Sequence, residues 1–240
     1  MDNCITKILI LSAGLIFSPL NSMAVEGYSR PFSPDPTRFE DSMRGFRNTD
    51  EQRKPPEHAI VACGSSSIAR WHSRISVDLE GLTIIPRGLG GSQLSDIIYF
   101  AEDIILKYNP RAVILYEGDN DIAGGKSPEH ILSDLKFLVD YCRTKQPDLR
   151  FYVLSIKPSI SRWQIWQSMA STNALMKSYC EETVGLTYID VATPLLNPEG
   201  NHPRGDIFIS DNLHLNSNGY DLWAQSVRPI LIEKEAKFEQ

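Results

Sequence analysis

The sequence predicts an α/β protein, a three-layer α/β/α sandwich around a mainly parallel, five-stranded sheet. Apolar runs rich in β-branched residues alternate with stretches of helical periodicity five times along the chain. Such an alternation builds a parallel sheet covered by helices on both faces. The 240 residues, 42% hydrophobic and 22% charged, suit one domain with a proper core and exclude a disordered chain. A formal net charge of −6 argues against a nucleic-acid partner and against broad attraction to anionic membrane.

In chain order, Lys7 precedes the apolar run 8–17, followed by Pro19 and Ser22-Met23-Ala24. This pattern predicts a signal peptide over 1–24, cleaved after Ala24, and a secreted or periplasmic product. The apolar run is too short to span a bilayer comfortably, so no stable membrane insertion is expected after its removal. Cys63, Cys142 and Cys180 remain, all in apolar contexts that suit small buried hydrophobes, and they allow at most one internal disulfide. Residues 25–56, rich in Pro, Arg, Ser and Asp, predict an extended arm over the domain with a short helix around 37–46. The main domain fills 57–240.

Strands are expected at 58–62, 82–85, 112–116, 151–156 and 186–191. Between the second and third, Leu94, Ile97, Ile98, Ala101, Ile104 and Ile105 recur at helical spacing, with Pro110 beyond. Ser127-Pro128 reads as N-cap and first helical residue, with Ile131, Leu135, Leu138 and Cys142 along one face. Further helices carry Trp166, Met169, Met176 and Cys180, then Tyr220, Trp223 and Val227.

Ligands of such sheets bind beyond the carboxyl ends of the strands. Four strand ends or late loops carry conspicuous residues: Gly64-Ser65-Ser66-Ser67, the stretch from Pro86 to Ser92, Gly118-Asp119-Asn120-Asp121, and Asp211-Asn212-Leu213-His214. Singly, each is ordinary turn or cap chemistry. Together they supply what acyl transfer needs. A serine hydroxyl needs a base, His214, and the base needs a carboxylate, Asp211, to fix its tautomer. A developing oxyanion needs donors, available from the N–H groups of Ser66 and Gly91 and the Asn120 amide.

On these residues the chain resembles the SGNH or GDSL-type hydrolases from about 58 to 229. Gly64-Ser65-Ser66 stands where that family has Gly-Asp-Ser, as in its Gly-Ser-Ser branch, and the resemblance makes Ser66 the nucleophile. Asn-x-x-x-x-Gly is matched by 86–91, giving Gly91 as a donor, but Pro86 replaces the asparagine. That removes an amide and a backbone N–H and predicts a looser loop. Gly-x-Asn-Asp and Asp-x-x-His are matched in full, giving Asn120, Asp211 and His214. Ser155-Ile156-Lys157-Pro158-Ser159 and His214-Leu215-Asn216 also look like an esterase-like branch.

The resemblance implies a flavodoxin-like fold and a serine esterase without metal or cofactor. It would act through an acyl-enzyme on short-chain acyl esters of a carbohydrate or a lipid-like alcohol. Arg87, Asp121, Lys157, Arg162 and Trp163 fall on or near the rim loops as substrate contacts. One rival is a metal-dependent phosphoesterase using Asp119, Asp121, Asp211 and His214. Only five histidines, with no His-x-His or His-x-Asp pair, give poor metal spacing. Another is a catalytically weak sugar-binding protein on the same fold, with Trp71, Trp163 and Tyr116 as a stacking surface. The α/β-hydrolase elbow is excluded, because the second glycine of Gly-x-Ser-x-Gly is missing.

Overall fold

Residues on successive positions of a strand point to opposite faces of a sheet, and here both sets are apolar. The computed structural model describes residues 25–239, so the signal-peptide reading of 1–24 lies outside the described residues. After a 3₁₀ turn at Pro36–Phe39, the elements are α1 (Glu40–Gln52), β1 (Ile60–Gly64), α2 (Ser66–Trp71) and α3 (Ile75–Asp78). Then come β2 (Ile84–Gly88), α4 (Leu94–Tyr99), α5 (Ala101–Ile104), β3 (Ala112–Tyr116) and α6 (Asp119–Ala123). The chain ends with α7 (Pro128–Lys145), β4 (Arg150–Leu154), α8 (Trp166–Glu182), β5 (Leu186–Ile189) and α9 (Ser217–Glu235).

The strands lie in the order β2-β1-β3-β4-β5, every pair parallel. The fold is therefore the α/β/α sandwich expected. Val61, Cys63, Val113, Leu115, Phe151 and Val153 face one apolar layer, with Ile97 of α4, Leu135 of α7 and Met176 of α8. Ile60, Ala62, Ile114, Tyr116, Tyr152 and Leu154 face the other, with Ile68 of α2 and Trp223 and Val227 of α9. Cys63, Cys142 and Cys180 are free and buried in the first layer. Trp71 and Tyr116 have no exposed surface, so the stacking-surface reading fails for both; they are core.

Several boundaries move. β1 begins and ends two residues later than expected, which brings Ser66 to the turn immediately after it. β2 runs on to Gly88, so Arg87 is a strand residue and not part of a rim loop. The helix expected from Leu94 to Ile105 divides at Phe100, because Ile97, Ile98, Phe100, Ala101, Ile104 and Ile105 are all buried. That arc is wider than one straight helix lays on a sheet. Ser127 caps α7 as read, its Oγ accepting from His130 N at 3.2 Å. The segment read as an extended arm carries a longer helix than expected, α1, whose Met43 reaches the core.

Pro86 costs the sheet no hydrogen bond. Ile60 N donates to Thr83 O, and Leu89 N donates to Gly64 O at 2.7 Å. Residues 83, 85, 87 and 89 therefore face β1, and position 86 faces the open side of an edge strand, where a missing N–H costs no ladder bond. The next outward N–H, of Gly88, is accepted by His72 Nε2 at 2.9 Å.

Candidate active site

The site forms where β1 and β3 end side by side. Gly64 closes β1 with φ +137°, and a Cβ there would lie 2.1 Å from Tyr116 O. No other residue allows the chain to turn so close to β3. Ser65 N donates to Tyr116 O at 3.1 Å, and its carbonyl receives Ile68 N and Ala69 N, which starts α2 on Ser66. α2 then packs on β2 so tightly that a Cβ at Gly88 would meet Ala69 N at 2.2 Å. From the far side, Tyr220 of α9 donates its hydroxyl to Ser67 O at 2.8 Å.

The segment preceding α9 is a loop whose Asn212 carbonyl accepts from Ser161 N at 3.1 Å. Asp211 Oδ1 accepts from Leu213 N and His214 N, both at 2.9 Å. Asn212 supplies the left-handed turn with φ +56°. His214 Nδ1 lies 2.6 Å from Asp211 Oδ2, and His214 Nε2 lies 2.9 Å from Ser66 Oγ. A carboxylate only accepts, so Nδ1 carries the ring proton and Nε2 is free to receive one from the serine. Desolvation works to raise the Asp211 carboxyl. The ring of His214 and the two backbone N–H groups outweigh it and hold the group well below the usual carboxylate range.

The residues expected to supply oxyanion donors, Gly91 and Asn120, meet at Ser92. Gly91 is exposed, with φ +86°. Asn120 Nδ2 donates to Ser92 O at 2.8 Å, and the Ser92 hydroxyl is hydrogen-bonded to Glu117. Glu117 is fully buried. Burial first, then the Asp121 charge, push its carboxyl well above the usual range. Glu117 was not singled out in the sequence, and Ser92 only as the end of the stretch from Pro86, because one acid at the end of an apolar strand gives no hint of its partner.

Four of the expected substrate contacts are committed elsewhere. Arg87 is 6% exposed and is bonded to Tyr108 Oη at 2.6 Å, to Pro86 O and to Asp50, on the face covered by α1. Asp121 is buried and accepts from Leu94 N at the start of α4 and from Lys126 Nζ at 2.9 Å, so it caps a helix. Lys157 has no exposed surface and donates to Asp119 Oδ2 at 3.1 Å. Arg162 is bonded to Asp119 and to Asn120. Only Trp163 stays on a rim, half-buried, its ring 5.9 Å from Trp166 and 5.3 Å from His202. The metal reading finds no cluster. Asp119 and Asp121 are each held by cations and only Asp211 meets His214. Among the described residues no group of three His, Cys, Asp or Glu converges.

Comparisons with known proteins agree with this architecture. The sequence profile of the GDSL-like Lipase/Acylhydrolase family matches residues 48–222. Platelet-activating factor acetylhydrolase IB subunit alpha1 of Bos taurus is 22% identical over 187 residues, 76% of this chain and 78% of the bovine protein. A GDSL-like lipase from Bacteroides thetaiotaomicron VPI-5482 superposes with a TM-score of 0.67 at 17% identity, over 80% of this chain and 97% of that one. A carbohydrate esterase family 3 protein from Talaromyces cellulolyticus gives a TM-score of 0.57 at 18% identity, over 75% and 99%.

Proposed function

Because the chain belongs to the GDSL-like lipase/acylhydrolase family, we propose that it is a serine esterase that removes short acyl groups from a carbohydrate or lipid-like alcohol. Three groups carry this reading: Ser66 Oγ, His214 Nε2 at 2.9 Å from it, and the Asp211 carboxylate at 2.6 Å from the other ring nitrogen. His214 takes the hydroxyl proton as Ser66 Oγ bonds to the ester carbonyl carbon. Charge moves to the carbonyl oxygen, which the N–H groups of Ser66 and Gly91 and the Asn120 amide receive. The C–O bond to the alcohol breaks as His214 returns the proton to the leaving oxygen. Water then repeats the sequence on the acyl-serine, with His214 again as base. Asp211 holds the ring and stabilises its charged form throughout.

The names of the bovine acetylhydrolase and the fungal carbohydrate esterase support a small acyl group and leave both kinds of alcohol in play. Trp163, half-buried on a rim, is the side chain proposed to meet the alcohol. The 1–24 segment is proposed to direct export, so mature protein recovered from a secreting host should begin at Val25 by mass. No helix among the described residues is long and apolar enough to cross a membrane.

The test is a fluorophosphonate probe followed by peptide mass spectrometry, with p-nitrophenyl acetate kinetics alongside. An adduct on Ser66 is expected, and Ser66→Ala should lower kcat by about 10³-fold or more. Ser65→Ala and Ser67→Ala should keep most activity. Absence of any adduct, or an adduct on Ser67, would overturn the assignment.

A further inference from the structure

Arg162 sits where the loop after β4 meets the turn that carries Asn120. Its Nη1 donates to Asp119 Oδ1 at 2.6 Å, and Nη1 and Nη2 both donate to Asn120 Oδ1 at 3.1 Å. The Arg162 side chain is only 21% exposed. Asp119 in turn is anchored by Lys157 and by Tyr116 Oη, so the guanidinium rests on a fixed carboxylate. At the opposite end of the amide, Asn120 Nδ2 gives one hydrogen to Ser92 O.

Both ends of the Asn120 amide are thereby specified. A flipped amide would set its oxygen against the Ser92 carbonyl and its NH₂ against a guanidinium, acceptor on acceptor and donor on donor. One amide hydrogen goes to Ser92, and the second is left over. A cation on Oδ1 draws density away from the nitrogen and makes that second N–H a stronger donor.

We propose that Arg162 is a positioning residue that acts through Asn120, fixing the orientation of its amide and strengthening the hydrogen it offers to the oxyanion. This rests on the esterase reading above, in which Asn120 is such a donor. It replaces the expectation that Arg162 contacts substrate, since two of its nitrogens are already committed to Asp119 and Asn120. An oxyanion exists only after attack begins, so the effect belongs to kcat.

A double-mutant cycle tests this with p-nitrophenyl acetate, using Arg162→Met, Asn120→Ala, the double variant and Arg162→Lys. Arg162→Met should lower kcat about tenfold, with KM within about twofold of wild type. Arg162→Lys, which keeps the charge but not the fork, should recover part of that loss. In the Asn120→Ala background, Arg162→Met should cost less than about twofold more. A rise in KM at unchanged kcat would overturn the proposal in favour of a substrate contact. An undiminished tenfold loss in the Asn120→Ala background would overturn it as well, while leaving the esterase reading intact. Wild-type kcat in Asn120→Ala alone would remove Asn120 from the oxyanion site and this proposal with it. If circular dichroism shows Arg162→Met unfolded, the cycle is run with Arg162→Lys, and the same coupling to Asn120 is expected at smaller amplitude.

Discussion

Asp211 accepts three hydrogen bonds, all from residues within three positions of itself. Replacing it with Asn keeps an acceptor for the backbone but puts an NH₂ opposite Nδ1, which favours the tautomer with its proton on Nε2. Asp211→Asn is therefore expected to lower kcat for p-nitrophenyl acetate by about 10³-fold while KM changes little, as steady-state kinetics will show. The locality of that loop is also why Asp-x-x-His was legible in the sequence: the loop alone joins the two side chains. Lys157 and Asp121 were misread for the opposite reason. Their partners, Asp119 and the start of α4, lie 38 and 27 residues away, and burial of a charge is decided by such distant partners. A charged residue near a rim loop looks the same in sequence whether it points outward or is sealed beneath.

At the scale of elements, the helical and strand periods were legible and their ends were not. β1 and β2 each stop at a glycine whose neighbours, Tyr116 O and Ala69 N, come from other elements. α2 and β2 are also joined by His72, the residue just after α2, through Gly88 N. Burial, and then the Arg87 charge, push the His72 ring down to about 4. An unfolded histidine takes up its proton near 6.5. Between those two values the unfolded chain binds a proton that the folded one refuses. The stability His72 contributes is thus complete above about pH 6.5 and is lost as pH falls toward 4. Urea unfolding at pH 7 and pH 5 should show a loss of about 2 kcal/mol in wild type that is missing from His72→Gln. Equal losses in the two proteins would contradict the linkage.

Across the whole molecule, the segment before β1 is tied to the sandwich by charge as well as by packing. Arg30 Nη1 and Tyr28 Oη reach Asp134 Oδ1 at 2.7 and 3.1 Å, Arg38 pairs with Asp96 at 2.5 Å, and Asp50 pairs with Arg87 and Lys107. Asp134 is fully buried, whereas Arg30 is 37% exposed, so only one side of that pair is out of water. Asp134→Ala should destabilise the protein by about 2–3 kcal/mol in urea unfolding and speed chymotryptic cleavage after Tyr28, which also bonds to Asp134. Unchanged cleavage would show that the segment is held by its aromatic contacts alone. The sequence displayed this segment's composition but not its anchor, because Asp134 is one acid among several on α7 and nothing local marks it as the one that is buried.

The outer rim of β2 has a further effect, on crowding of copies of the chain. Of its three outward positions, Pro86 has no hydrogen to give, and that of Gly88 is already taken by an imidazole. A strand from another molecule arriving there would find a donor left only at Ile84, too few to zip onto the sheet. The substitution that departs from the family's pattern thus leaves this flank poorly suited to edge-to-edge pairing, at no expense to the ladder inside.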